Sequence, residues 1–162
     1  MSEVPKFLKA NERYAASFTK GELQMPPTRR VAVVACMDAR LDPARVLGLE
    51  EGDAHVIRNA GGRAADAVRS LVISQQLLGT REVVVIHHTD CGMLTFTDDQ
   101  LRKKVRDELG AEIETPFYSF TDLDKSVRDD VAAIRASRFL LKDLPVTGFV
   151  YDVKTGRLRQ VA

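Results

Sequence analysis

The chain has 162 residues, 44% of them hydrophobic, and this length predicts a single domain over residues 1–162. Its 24 basic and 23 acidic residues leave a formal net charge of +1, which argues against a protein that binds nucleic acid or an anionic membrane surface. No secretory leader pattern opens the sequence and no apolar run approaches the roughly 20 residues that span a bilayer, so we expect a cytoplasmic protein without a membrane partner.

The first predicted elements are a helix and four strands. An amphipathic helix is expected up to about residue 20, and a lone helix at a chain end is suited to docking on a partner subunit. Apolar, β-rich runs then predict strands at residues 31–36, 53–58, 82–88 and 146–152. The first and third runs are too uniformly apolar for a strand with one solvated face, which indicates burial on both faces.

Helical patterns lie between these runs. Apolar residues at helical spacing predict helices over residues 63–78, 98–109 and 122–136. A turn at residues 152–156 leads into a short final strand, residues 157–161, which we expect to lie antiparallel at an edge. The order predicts an α/β fold in which a mainly parallel four-stranded sheet, with a short antiparallel edge strand, is flanked by helices.

Three potential metal ligands follow the two strongest strands. Cys36 ends the first apolar run, His88 ends the third, and Cys91 comes three residues later. Ligands of parallel sheets bind beyond the carboxyl ends of the strands, so these side chains converge if the two strands are neighbours. Two thiolates and one imidazole favour Zn²⁺, and three protein ligands leave a fourth position open for catalysis.

Other interpretations of these residues stay open. Each cysteine alone can be an ordinary buried thiol, the pair can form a structural disulfide, and His88 alone can be a packing histidine. If Cys36 were instead a nucleophile and His88 its base, the protein would be a thiol hydrolase without metal. The neighbouring His87 should point to the opposite face of its strand, so we expect it to be structural.

A carboxylate and a guanidinium follow Cys36 on the same side of an extended backbone, as Asp38 and Arg40. Arg40 can hold Asp38 bidentately. Asp38 then has two possible states, either a fourth metal ligand in an inactive site or an acceptor of a hydrogen bond from metal-bound water. The alternative is a turn aspartate in an ordinary surface ion pair.

Three motifs in order resemble the signature of the β-carbonic anhydrases: Cys36-x-Asp38-x-Arg40, His55-Val-Ile-Arg58-Asn59-Ala60-Gly61 and His88-x-x-Cys91-Gly92. The resemblance covers residues 31 to 92. It implies one Zn²⁺ on Cys36, His88 and Cys91, catalytic roles for Asp38 and Arg40, and a homodimer that can pair into tetramers. Asn59 and Gly61 are assigned to the substrate pocket, although a simple glycine turn before the next helix is the alternative.

The expected reaction is the reversible hydration of CO2 to bicarbonate and a proton, by attack of zinc-bound hydroxide. The sequence resembles the short bacterial branch of this family. Sequences of that branch are also similar to hydrolases of carbonyl sulfide and carbon disulfide, which would use the same residues. A non-catalytic zinc protein, with Asp38 permanently on the metal, is the alternative from a different class.

Overall fold

Five strands form one sheet in the computed structural model, which describes residues 2–162. They are β1 (Val31–Cys36), β2 (Ala54–Asn59), β3 (Glu82–His88), β4 (Val146–Tyr151) and β5 (Leu158–Gln160). Their order across the sheet is β2-β1-β3-β4-β5, with β5 antiparallel to β4 and every other pair parallel. The predicted mainly parallel sheet with an antiparallel edge strand is therefore confirmed.

Five α-helices accompany the sheet. They are α1 (Val4–Ala16), α2 (Pro43–Leu47), α3 (Val68–Gln76), α4 (Asp98–Leu109) and α5 (Leu123–Ala136). Two 3₁₀ turns, Ala60–Gly62 and Gly92–Leu94, follow β2 and β3 respectively. None of the helices within residues 2–162 combines the length and the apolar character needed to cross a membrane.

The helices differ from the prediction in several places, and the N-terminal helix expected up to about residue 20 ends at Ala16. The helix expected over residues 63–78 begins only at Val68, because Arg63 has extended backbone and its N–H donates to Asn59 Oδ1 at 2.7 Å. The short helix α2 was not predicted, although its signals are present: Asp42 accepts hydrogen bonds from the first turn, a proline opens the helix, and Gly48 ends it in the left-handed conformation.

Strand β1 lies between two apolar layers, as its uniform composition predicts. On one face Ala32 and Val34 pack with buried residues of α3 and α5, and on the other Val33 and Ala35 pack with the residues around the cysteines. The central strands are therefore rigid supports, and their carboxyl ends hold the loops of the site in place.

Candidate metal centre

The structure brings Cys36, His88 and Cys91 together at the carboxyl ends of β1 and β3. One potential ligand atom of each lies within 4.8 Å of the others, and all three residues are buried. The two strands are hydrogen-bonded neighbours, with Ala35 paired to Ile86, so their ends come out at the same edge of the sheet. The cysteines form no disulfide.

His88 has one nitrogen fixed by the main chain and the other unpartnered. Its Nδ1 lies 2.8 Å from the carbonyl oxygen of Thr89, which can only accept, so Nδ1 carries the proton. In the neutral imidazole, Nε2 then presents a lone pair, and within residues 2–162 this buried atom has no hydrogen-bond partner. Leaving a buried polar atom unsatisfied costs about 1–3 kcal/mol, which a metal ion at this position would remove.

The two cysteine sulfurs lie within 4.8 Å of each other, and each affects the acidity of the other. Interaction with the Cys91 thiol lowers the pKa of Cys36 to about 4 against the opposing effect of burial. The same interaction, together with burial, raises the pKa of the Cys91 thiol. A divalent cation bound between the sulfurs would displace the thiol proton and leave two thiolates, which is the usual coupling of metal binding to proton release.

Arg58 on β2 holds the loop that carries Cys36. Its guanidinium donates to the carbonyl oxygen of Cys36 from Nε at 3.0 Å and from Nη2 at 2.9 Å, and Nη2 also donates to the Asp38 carbonyl at 2.7 Å. The Met37 N–H donates to the Asn59 carbonyl at 2.9 Å. Arg58 is part of the signature motif, but the motif by itself predicted no contact for it.

Gly62 allows the turn after β2 to cross the ends of the two ligand-bearing strands. A Cβ atom at this position would lie 2.8 Å from the backbone nitrogen of Cys36 and 2.9 Å from the carbonyl oxygen of Ile86. Its φ of +68° is also a conformation that favours glycine. Only glycine fits here without displacing main chain next to the potential metal ligands.

Asp38 and Arg40 form the predicted pair beside this cluster. Arg40 donates from Nε to Asp38 Oδ1 at 2.9 Å and from Nη2 to Asp38 Oδ2 at 2.8 Å. These hydrogen bonds outweigh burial and hold the pKa of Asp38 well below its usual range, so the carboxylate stays ionised. Its Oδ2 lies 3.7 Å from Nε2 of His88, within reach of anything bound to that nitrogen.

A cavity of about 460 Å³ opens onto the ligand cluster. Most of its wall is apolar, and Met93, Phe96, Leu101 and Phe117 contribute to it. Of the two residues predicted for the substrate pocket, Gly61 lines this cavity. The side chain of Asn59 lies against Arg63 instead, accepting from its N–H at 2.7 Å and donating to its carbonyl at 2.9 Å.

The other two histidines belong to hydrogen-bond networks within the fold. His87 is fully buried, with Nδ1 2.8 Å from Ser126 Oγ and Nε2 3.1 Å from Asp130 Oδ2. It therefore contacts α5, as the alternation of side chains along β3 predicts. His55 Nδ1 lies 2.7 Å from the hydroxyl of Ser74 on α3.

Comparisons with known proteins agree on one family. The family model described as carbonic anhydrase matches residues 31–158. β-Carbonic anhydrase 1 of Mycobacterium tuberculosis is 49% identical over 162 residues, covering 99% of each chain. A carbon disulfide hydrolase of an Acidianus species is 34% identical over 178 residues, covering 94% of this chain and 86% of the relative. The structure of a carbonic anhydrase from Glaciozyma antarctica superimposes with a TM-score of 0.96 at 52% identity, covering all of both chains.

Proposed function

The chain belongs to the β-carbonic anhydrase family and is therefore a lyase, and on that premise we propose that it hydrates CO2 reversibly with one Zn²⁺ held by Cys36, His88 and Cys91. The observation that carries this proposal is the buried Nε2 of His88, which has no hydrogen-bond partner and lies within 4.8 Å of the two cysteine sulfurs. These three donors suit Zn²⁺ and leave a fourth position for water.

The three residues suit Zn²⁺ in their charge, in their donor atoms and in the hydrogen bond that orients the imidazole. Two thiolates balance a divalent cation, and the hydrogen bond from His88 Nδ1 to the Thr89 carbonyl is the outer contact that orients a metal-binding imidazole. When bound, Zn²⁺ supplies the Lewis acidity that makes water a nucleophile near neutral pH.

Asp38 orients the attacking water. Held by two hydrogen bonds from Arg40, its ionised carboxylate accepts a hydrogen bond from the water and directs an oxygen lone pair toward the carbon of CO2. Arg40 keeps the Asp38 carboxylate in this position, with its Oδ2 3.7 Å from His88 Nε2. The apolar wall of the cavity accommodates uncharged CO2 and provides little to retain the charged product, so bicarbonate leaves to solvent, and the proton lost by the attacking water is released to solvent as well.

Hydrolysis of carbon disulfide or carbonyl sulfide is the second candidate function. It is supported by the carbon disulfide hydrolases that align with nearly the whole chain, and the same residues would serve it. The relatives at 49% identity are β-carbonic anhydrases, which favours CO2. Purified enzyme assayed with all three substrates separates the candidates, and we expect the largest kcat/KM for CO2.

Metal analysis combined with stopped-flow CO2 hydration between about pH 6.5 and 9 tests the proposal. We expect about one zinc per chain and a rate that rises with pH. Cys91→Ser should lose both metal and rate, whereas Asp38→Asn should keep the metal and lose rate. Full activity in metal-free protein would contradict the proposal, and full zinc occupancy without activity at any pH would indicate a non-catalytic zinc protein.

We also propose that the enzyme is a homodimer in a reducing compartment such as the cytoplasm. Helix α1 exposes an apolar face, with Phe7 65% and Leu8 61% accessible, and β2 lies at an edge of the sheet with Val56 exposed. A second copy of the chain would cover these surfaces. The reducing compartment is supported by the two cysteines, which are both free and both face the metal site.

A further inference from the structure

Asp90 lies in the turn that separates His88 from Cys91. Its backbone is left-handed, with φ of 56°, a conformation that aspartate tolerates better than most residues. Its side chain is 72% exposed and contacts Arg40 in the loop that follows β1. The mechanism described above assigns it no role.

Arg40 contacts Asp90 as closely as it contacts Asp38. Nη1 donates to Asp90 Oδ2 at 2.7 Å, and Nη2 donates to the Asp90 carbonyl oxygen at 3.0 Å. One planar guanidinium thus binds carboxylates from two different loops, one after β1 and one after β3. Because the donors of a guanidinium have fixed directions, the contact with Asp90 sets the orientation in which Arg40 faces Asp38.

This orientation matters because Asp38 can bind the metal itself. Its Oδ2 is 3.7 Å from His88 Nε2, and a carboxylate is a common fourth ligand of zinc. Arg40 alone would be a weak restraint, because it is half-exposed, sits two residues from Asp38 on the same loop, and can move with it. Asp90 belongs to the other loop and provides a second attachment.

We propose that Asp90 is a positioning residue: by holding Arg40 it keeps the Asp38 carboxylate off the metal and the fourth coordination position open. The inference deepens the proposed function and rests on it. It concerns the balance between an open site and a closed one, in which Asp38 occupies the position that water needs.

The test measures that balance in Asp90→Asn with azide as a probe of the open position. In protein loaded with Co²⁺, visible absorption reports azide binding, and stopped-flow assays of the zinc form give kcat/KM. We expect the dissociation constant for azide to rise and kcat/KM to fall, each by up to about fivefold, because both depend on the open fraction. Metal content should stay at about one ion per chain.

Loss of a negative charge by itself would act in the opposite direction. Removing an anionic side chain near the site should strengthen the binding of an anion, so a simple charge effect predicts a lower dissociation constant for azide. A rise therefore reports closure by Asp38. A crystal structure of zinc-loaded Asp90→Asn should show part of the Asp38 carboxylate on the metal.

Asp90→Gly separates the carboxylate from the backbone. Glycine keeps the left-handed turn and the carbonyl that accepts from Arg40, so we expect at least the effect of Asp90→Asn. Asp107→Asn, which removes an exposed carboxylate from α4, is the matched control and should change neither quantity. Wild-type values of both quantities in either Asp90 variant, or a lower dissociation constant for azide with unchanged kcat/KM, would overturn the proposal.

The two proposals fail in distinguishable ways. If the zinc-loaded wild-type chain does not hydrate CO2, the proposed function is wrong, while azide binding to the Co²⁺ form and the crystal structure still report where Asp38 lies. If the wild-type chain is active and the Asp90 variants are unchanged, only the role of Asp90 is wrong.

Discussion

Arg58 donates three hydrogen bonds to the carbonyl oxygens of Cys36 and Asp38, so one side chain on β2 shapes the loop that carries a potential metal ligand and the residue that we propose to orient water. Neither carbonyl is part of the reaction. The contact acts by limiting where the sulfur and the carboxylate can be, and at the residue scale the geometry of the site depends on such supporting groups as much as on the ligands.

Arg58→Lys should weaken zinc binding by about 10- to 100-fold, because an ammonium group cannot reproduce the fork that binds both carbonyls. Competition with a chromogenic chelator measures the affinity. Arg69→Lys, on the exposed side of α3, is the matched control. Unchanged zinc affinity in Arg58→Lys would show that the strand ends alone position Cys36.

Gly62→Ala should lower the free energy of unfolding by about 2–4 kcal/mol, since the new methyl group meets the main chain of both ligand-bearing strands at a positive φ. Urea unfolding of the metal-free protein gives the value. Gly110→Ala is the control for backbone strain alone: its φ is +66° but nothing lies within 4 Å of the new atom, so we expect about 1 kcal/mol. Equal losses would mean that the close approach at Gly62 is easily relieved.

At the scale of elements, the first turn of α4 anchors the wall of the cavity. Asp98 accepts hydrogen bonds from the Phe117 N–H at 2.8 Å and from the N–H and hydroxyl of Ser119 at 3.0 and 2.7 Å. Phe117 lines the cavity. Burial acts to raise the pKa of Asp98, but these hydrogen bonds outweigh it and lower the pKa to about 2.

Asp98→Ala should destabilise the protein by about 1–3 kcal/mol at neutral pH, and the difference from wild type should shrink in acid. The pKa of Asp98 is about 2 in the folded protein and near 3.9 in the unfolded chain. The stabilisation by its carboxylate is therefore complete above about pH 4 and is lost as pH falls toward 2. Urea unfolding at about pH 7 and pH 3 measures it. Asp99→Ala is the matched control: Asp99 lies on the same turn with its side chain 95% exposed, so the free energy of unfolding should change little. A loss of stability in Asp98→Ala that does not depend on pH would contradict the prediction.

At the scale of the whole molecule, α1 carries several exposed apolar side chains on one short helix. No residue of this helix is buried within the chain, and Phe7 and Leu8 each expose most of their surface. Burying such a side chain is worth about 1.5–3 kcal/mol, which gives this helix a substantial gain from contact with a second copy.

Replacing Phe7 and Leu8 together by aspartate should convert the proposed dimer to monomers, observed by analytical ultracentrifugation over a range of concentrations. Lys9→Asp is the matched control, because it adds negative charge to the same helix without removing apolar surface. The proposal of a homodimer is wrong if the wild-type chain itself sediments as a monomer.

The sequence by itself determined the elements whose signals are local. Helix α4 was predicted with both ends correct from apolar residues at helical spacing, and the structure shows that its limits are set locally, by a capping box of Thr97 and Gln100 and by Gly110 at its end. The buried strands followed from apolar composition. The three potential metal ligands could be named because a combination of thiol and imidazole side chains at the ends of buried strands is typical of a metal site.

Only the tertiary structure decided which side chains meet across loops. Arg40 reaches Asp90 fifty residues later, Arg58 reaches the carbonyl of Cys36, and Asp98 binds the main chain near Phe117. A contact of the same kind, between Asn59 and Arg63, explains why α3 begins later in the sequence than predicted. Loop conformations depend on contacts between distant segments, and neither periodicity nor spacing encodes those contacts, because they arise only when the strands have set the loops side by side.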